Sequence, residues 1–193
     1  MTIVKSLDEM VYIIKLVESK MDEPKLKDKN IEFKLMQPDE LNNYLITERG
    51  AKPEVAELIE GHTMCKDGKY IVRIRAMEPE DVLETYFHEL GHVATLEDAV
   101  KYKINKEQAY MIQETLAYLF QFYAEEKCNE LGYGCVYPCV LPGNREKFLD
   151  AILAANPDIT DYRRKAFSTI RNMLTSGESF ESLYKITKKA LLK

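Results

Sequence analysis

The chain has 193 residues, enough for one domain with a proper core or for a small catalytic core with an appended helical part. Hydrophobic residues at 46% and charged residues at 31% are ordinary globular values, and a net charge of −5 gives no electrostatic case for nucleic-acid binding. Residues 1–20 carry Lys5, Asp8, Glu9, Lys15 and Glu18, which excludes a signal-peptide core or a membrane span there. The expected location is therefore cytoplasmic, and the four cysteines are expected as thiols or ligands rather than disulfides.

From Ser6 to Met21, Leu7, Met10, Val11, Ile14 and Val17 recur at helical spacing and predict a core-facing helix. Residues 22–30 are charged, contain Pro24 and read as a loop, and Ile31–Leu35 reads as a short strand. Pro38 opens a second helix over Asp39–Thr47, closed by Gly50, and Pro53 opens a third that is expected to run to Gly61. His62–Cys65 and Tyr70–Arg75 flank Lys66-Asp67-Gly68-Lys69, and Asp-Gly between two strand-like runs signals a hairpin. Tyr70–Arg75 is the expected sheet edge, along which an extended peptide would gain main-chain hydrogen bonds.

The hairpin leads into Phe87-His88-Glu89-Leu90-Gly91-His92, inside a run that reads as helix from Glu80 to Asp98. Residues four apart on a helix have Cβ atoms roughly 5–6 Å apart, so His88 and His92 can aim two imidazoles at one point. Such a point suits zinc, which in catalytic sites takes three protein ligands and leaves a fourth position open. Glu89 stands about 100° round the helix from His88. A carboxylate there can take a proton from water at the metal and pass it to a leaving amine.

The surroundings strengthen this short box. Leu83, Tyr86, Leu90 and Val93 form an apolar stripe opposite the histidines. Pro79 suits a first helical turn, and Glu78, Glu80 and Asp81 complement the positive end of the helix dipole. The chain has three histidines, and two of them stand here.

Asn105-Lys106-Glu107-Gln108 resembles a capping box, and a helix is predicted from there to Leu131, stopped by Gly132. It is apolar nearly all round, through Ala109, Ile112, Leu116, Ala117, Phe120 and Tyr123 among others, which predicts burial. Glu114 in its middle would cost several kcal/mol unless a cation meets it. Three carboxylates compete as third metal ligand. Glu114 follows His92 by 22 residues, room for one helix to end and another to return, whereas Asp98 follows by six and needs a helix-breaking glycine where Thr95 stands. Glu107 lies near a helix end, where water can solvate it. Geometry favours Glu114.

His88-Glu89-Leu90-Gly91-His92 followed by Glu114-x-x-Ala117-x-x-Phe120 resembles the gluzincins, and within them the short intracellular ImmA/IrrE-like metallopeptidases and the related minimal gluzincins. The resemblance covers roughly Lys69 to Leu141. It implies His88, His92 and Glu114 as zinc ligands, Glu89 as general base, a three-stranded sheet over two helices, and peptide-bond hydrolysis. A histidine shortly after the box, frequent in the ImmA branch, is absent, and no helix-turn-helix segment is evident, so the likeness is to the gluzincins more than to that branch.

The expected fold is α+β and mostly helical, a single domain over residues 1–193 with extra N-terminal helices. A zincin-like core over 62–141 sets a small antiparallel sheet over the His-Glu-x-x-His helix and a glutamate helix, and a C-terminal helical extension covers 142–193. Ala151, Leu153, Phe167, Ile170, Leu174, Leu183, Ile186 and Leu191 are the expected packing positions of that extension.

The expected function is a zinc-dependent metallopeptidase acting on a peptide or protein, without nucleic acid or membrane as partner. The alternative is a zinc-containing protein of the same fold that captures a partner segment in a regulatory role, although the intact Glu89 favours an enzyme. A hydrolase of non-peptide amides is a third reading, because peptide deformylase also uses a His-Glu-x-x-His helix with an upstream cysteine ligand. Cys65 lies upstream here, but in Thr63-Met64-Cys65-Lys66 rather than in the Glu-Gly-Cys setting of that enzyme. Tyr110, His62, Tyr133 and Tyr137 are candidate oxyanion donors. Cys128, Cys135 and Cys139 lack the Cys-x-x-Cys spacing of a structural zinc site and read as buried thiols.

Overall fold

Ten elements run through residues 6–21, 23, 26, 28–101, 106–133, 161–173 and 178–191, which are the residues that the computed structural model describes. Helix α1 (Leu7–Lys20) starts at Ser6, whose hydroxyl accepts the Glu9 amide at 3.2 Å. It buries Met10, Ile13, Ile14 and Val17. Leu7 and Val11, expected on the same face, are exposed because the core-facing row of Met10, Ile13, Ile14 and Val17 is centred part of a turn away from them.

Strand β1 (Asn30–Met36) leads into α2 (Pro38–Arg49), where Pro38 fills the first turn and Glu40 accepts the Gln37 amide at 3.1 Å. Gly50 ends α2 in the left-handed region at φ 68°. Helix α3 (Pro53–Ala56) is a single turn and does not reach Gly61 as the sequence predicts. The Arg75 guanidinium explains the stop. Its Nη2 donates to the carbonyls of Ala56 at 3.0 Å and Ile59 at 2.9 Å, so these groups are satisfied without further helical turns.

Strands β2 (Gly61–Lys66) and β3 (Lys69–Arg75) form the expected hairpin. Asp67 and Gly68 both have positive φ, 52° and 74°, the two left-handed residues that a tight hairpin turn requires. The sheet is mixed rather than antiparallel. β3 is central, antiparallel to β2 and parallel to β1, in the register Asn30↔Lys69 to Met36↔Arg75. Residues 37–60, with α2 and α3, carry the chain from β1 to the far side of β3 and so permit the parallel pairing. Tyr70–Arg75 is therefore not an edge, since β3 uses its backbone on both sides. Among the described strands, β2 and β1 are the edges.

One face of β3, through Tyr70, Val72 and Ile74, lies in the core. Helix α4 (Pro79–Lys101) packs there, its Tyr86 ring 5.5 Å from Phe33 of β1. Helix α5 (Lys106–Glu130) lies beyond α4, antiparallel to it, with Leu116, Leu119, Phe120, Phe122 and Tyr123 buried. α2 covers the other sheet face, where Arg75 Nη2 meets Asn42 Oδ1 at 2.8 Å. The described part is thus α+β and mostly helical.

Helices α6 (Asp161–Met173) and α7 (Phe180–Leu191) lie against α5, the middle helix, which accounts for its apolar circumference. Glu126 of α5 accepts the amides of Phe180 at 2.9 Å and Glu181 at 3.4 Å, a carboxylate at the positive end of α7. Glu23 ties the far end of α7, accepting from Tyr184 at 2.8 Å and Lys188 at 2.6 Å. Ile170 and Leu183 are buried as expected, but Ile186 is exposed, because α7 turns Leu183, Tyr184 and Thr187 inward instead. Ala151, Leu153 and Leu174, and the side chains of Phe167 and Leu191, lie outside the described residues.

The contact between α4 and α5 leaves no room at Gly91. A Cβ there would stand 2.6 Å from the Cα of Ala117 and 2.9 Å from its carbonyl oxygen, both backbone atoms that cannot swing away. A Gly91→Ala variant is expected to lose about 1–3 kcal/mol of stability through this overpacking. Urea unfolding checks it, and an unchanged midpoint would show that the helices can separate freely.

Candidate metal centre

The apolar stripe Leu83, Tyr86, Leu90 and Val93 is buried, and it fixes the rotation of α4. His88 and His92 then look along α5, while Glu89 faces β2. The two imidazole rings stand 4.9 Å apart at 84°. Because α4 and α5 touch at Gly91 and Ala117, Glu114, one turn before Ala117, comes level with both rings. Its Oε2 lies 3.6 Å from His88 Nε2, and its Oε1 lies 3.6 Å from His92 Nε2.

These spacings suit a metal. Two donors each bound to tetrahedral zinc at ~2.0–2.1 Å lie about 3.4 Å apart. Two imidazole nitrogens and a carboxylate are a zinc-type donor set, and His88 and Glu114 are buried at 8% and 9% exposure. His88, Glu89 and His92 also offer ligand atoms that all lie within 4.8 Å of one another. Glu114 reaches the two rings with different oxygens, whereas Glu89 offers one oxygen to the cluster, so distance alone leaves both carboxylates in reach.

Glu89 has a further partner on the sheet. Glu89 is buried at 5% exposure, and its Oε2 accepts a hydrogen bond from Thr63 Oγ1 of β2 at 2.6 Å. Tyr118, one turn after Glu114, sets its ring 4.3 Å from that of His88 and fixes the plane of the imidazole. Neither Thr63 nor Tyr118 was singled out from the sequence. Tyr118 is findable, since it shares the Glu114 face of α5 at four-residue spacing, but Thr63 depends on where the hairpin meets α4.

The other sequence candidates fall elsewhere. Helix α4 runs unbroken past Thr95, whose hydroxyl bonds the Gly91 carbonyl at 2.8 Å, and so makes no turn before Asp98. The side chains of Asp98 and Glu107 lie outside the described residues, as do Tyr137, Cys135 and Cys139. Tyr110 is exposed, and Tyr133 stands against Tyr12 of α1 at 6.5 Å between rings. Cys128 is a buried free thiol, in line with expectation, and Cys65 is an exposed one outside the cluster.

His62 lies on β2 beside Tyr44, whose hydroxyl is 3.5 Å from its Nδ1. Burial, then the positive charges of Arg49 and Arg73, push its pKa down to about 4, so it is neutral at physiological pH. A cavity of about 520 Å³ opens on the Tyr86 face of α4, bounded by Lys15, Glu18, Glu23 and Lys29, and is remote from the histidine face.

Models of protein families, curated proteins and solved structures all give no match to this chain. No helix among the described residues is long and apolar enough to cross a membrane.

The polar seam continues along the same two helices. Gln121 Nε2 donates to Glu84 Oε1 at 2.7 Å and to Glu125 Oε1 at 2.9 Å, bridging carboxyls of α4 and α5. Burial, with the charge of Glu125 second, raises the Glu84 pKa from 4.5 to about 9, so Glu84 keeps its proton at neutral pH. The folded state holds this proton more tightly than the unfolded chain does. The stability it contributes is fully present below pH 4.5 and is lost as pH rises towards 9. Glu84→Gln, which mimics the protonated acid, is expected to remove a slope of up to about 1.4 kcal/mol per pH unit from that window. Denaturant unfolding at a series of pH values checks it, and parallel curves for parent and variant would contradict it.

Proposed function

We propose that this chain is a zinc-dependent peptidase with a zincin-like core, of the gluzincin type that its sequence resembles. The observation that carries the reading is that Glu114 sets one carboxylate oxygen 3.6 Å from Nε2 of each histidine, while Glu89 beside them is hydrogen-bonded to Thr63. His88, His92 and Glu114 would hold the metal. Zinc bound there supplies a Lewis acid that polarises a carbonyl and brings the pKa of a water towards neutrality.

The chain's own groups do the rest. Glu89 takes the proton of the attacking water on a carboxylate oxygen and returns it to the leaving amine. Tyr118, packed on His88, keeps the ligand ring in one orientation. Among the described strands β2 is an edge beside Glu89, and an extended peptide can pair along it, the role that the sequence pattern suggests for β3.

Two measurements test the reading. Metal analysis of purified parent protein is expected to find one zinc per chain, lost in His88→Ala. Equal zinc in both would remove the site. On a peptide library, Glu89→Gln is expected to keep its zinc while cleavage falls by about 10²–10⁴-fold, the typical contribution of a general base. A variant that cuts as fast as the parent would contradict the role of Glu89.

A further inference from the structure

Within the metal centre proposed above, Glu89 has two possible roles. One of its oxygens lies within 4.8 Å of a nitrogen from each histidine. By distance it is as able to become a ligand as to serve as a base, and the two roles exclude each other, because a carboxylate whose lone pair is committed to a cation is a poor proton acceptor. What decides between them is how the carboxylate is held on its far side.

Strand β2 holds it. Thr63 Oγ1 is 2.6 Å from Glu89 Oε2, the length of a charge-assisted O–H to carboxylate hydrogen bond, and 3.3 Å from the Glu89 carbonyl oxygen. Gly61 lies on the same face of β2, two residues earlier. A Cβ at Gly61 would stand 2.5 Å from Glu89 Oε1 and 2.7 Å from the methyl group of Thr85, so the missing side chain makes the notch in which the carboxylate lies. Thr63 pairs across the sheet with Val72, which is fully buried, so the hydroxyl is anchored by the core rather than by a loop. One oxygen of Glu89 is tied to Thr63 and the other lies in the Gly61 gap.

We infer that Thr63 is a positioning residue that keeps Glu89 outside the metal's coordination shell, and thereby leaves Glu114 as the third ligand and Glu89 as the base. The inference rests on the zinc reading of the same site, and it goes beyond it by naming what holds Glu89 in the role of base. Thr63 acts through Glu89 and touches no reacting atom.

The full-length protein, stripped of metal and titrated with Co²⁺ alone, tests this through the visible absorption of the bound ion, which reports coordination number and geometry. The parent is expected to bind one Co²⁺ per chain with the intense bands of a four-coordinate site. Thr63→Val keeps the side-chain volume and removes the hydroxyl. It is expected to bind Co²⁺ with the weaker bands of a five-coordinate site as Glu89 joins the shell, and Thr63→Ala, which adds no bulk, is expected to do the same. Thr63→Ser should restore the parent spectrum, and so should Thr63→Val combined with Glu89→Ala, which a merely structural disturbance would not allow. With zinc, kcat for peptide cleavage is expected to fall about 10–100-fold in Thr63→Val with KM little changed, and to recover in Thr63→Ser. Bound Co²⁺ with the parent spectrum in both hydroxyl-deleted variants would overturn the inference alone. A parent that binds no stoichiometric Co²⁺ would overturn both this inference and the zinc reading.

Discussion

The close approach of α4 and α5 at Gly91 and Ala117 is the constraint on which the rest of the site depends. With no side chain at Gly91, the backbones come together tightly enough for Glu114, one turn away, to lie 3.6 Å from an imidazole nitrogen of each histidine. A glycine inside a helix costs up to about 1 kcal/mol relative to alanine, and here that cost secures helix contact and donor geometry together. Burial of the stripe opposite His88 and His92 fixes the rotation of α4, and the enclosing core of α1, α6 and α7 fixes the position of α5.

Polar groups follow the same seam in order: Glu114 opposite His92, Tyr118 against His88, and Gln121 between Glu84 and Glu125. Burying this many titratable groups works against folding unless each is hydrogen-bonded, charge-paired or protonated. Glu84 meets the cost by retaining its proton, with Gln121 bridging it to Glu125.

What the sequence made legible was local. Ser6, Pro38, Gly50 and Gly132 mark helix ends through backbone chemistry that needs no distant partner, and Asp67-Gly68 marks a hairpin in the same way. The rotation of α4 followed from a 3.6-residue pattern, and the return of Glu114 to the histidines followed from its burial in an apolar helix. What was not legible depends on residues far apart in the chain. The parallel pairing of β1 with β3 made β3 central and left β1 and β2 as the edges among the described strands. The early end of α3 needs Arg75, and the roles of Thr63 and Gly61 need the face that β2 turns to α4. No alternation of apolar residues within either segment encodes those meetings. Ile186 is a subtler case, where an apolar residue sits beside the buried row of α7 rather than in it.

In the proposed centre one cation joins His88, His92 and Glu114. X-ray absorption at the zinc edge of the purified, zinc-loaded protein tests it most directly, because the spectrum reads the ligand atoms themselves. A shell of nitrogen and oxygen only is expected, at ~2.0–2.1 Å, with the outer-shell scattering of two imidazoles. Sulfur at about 2.3 Å, or a spectrum without imidazole scattering, would place the metal on other residues and rule out the His88, His92 and Glu114 centre.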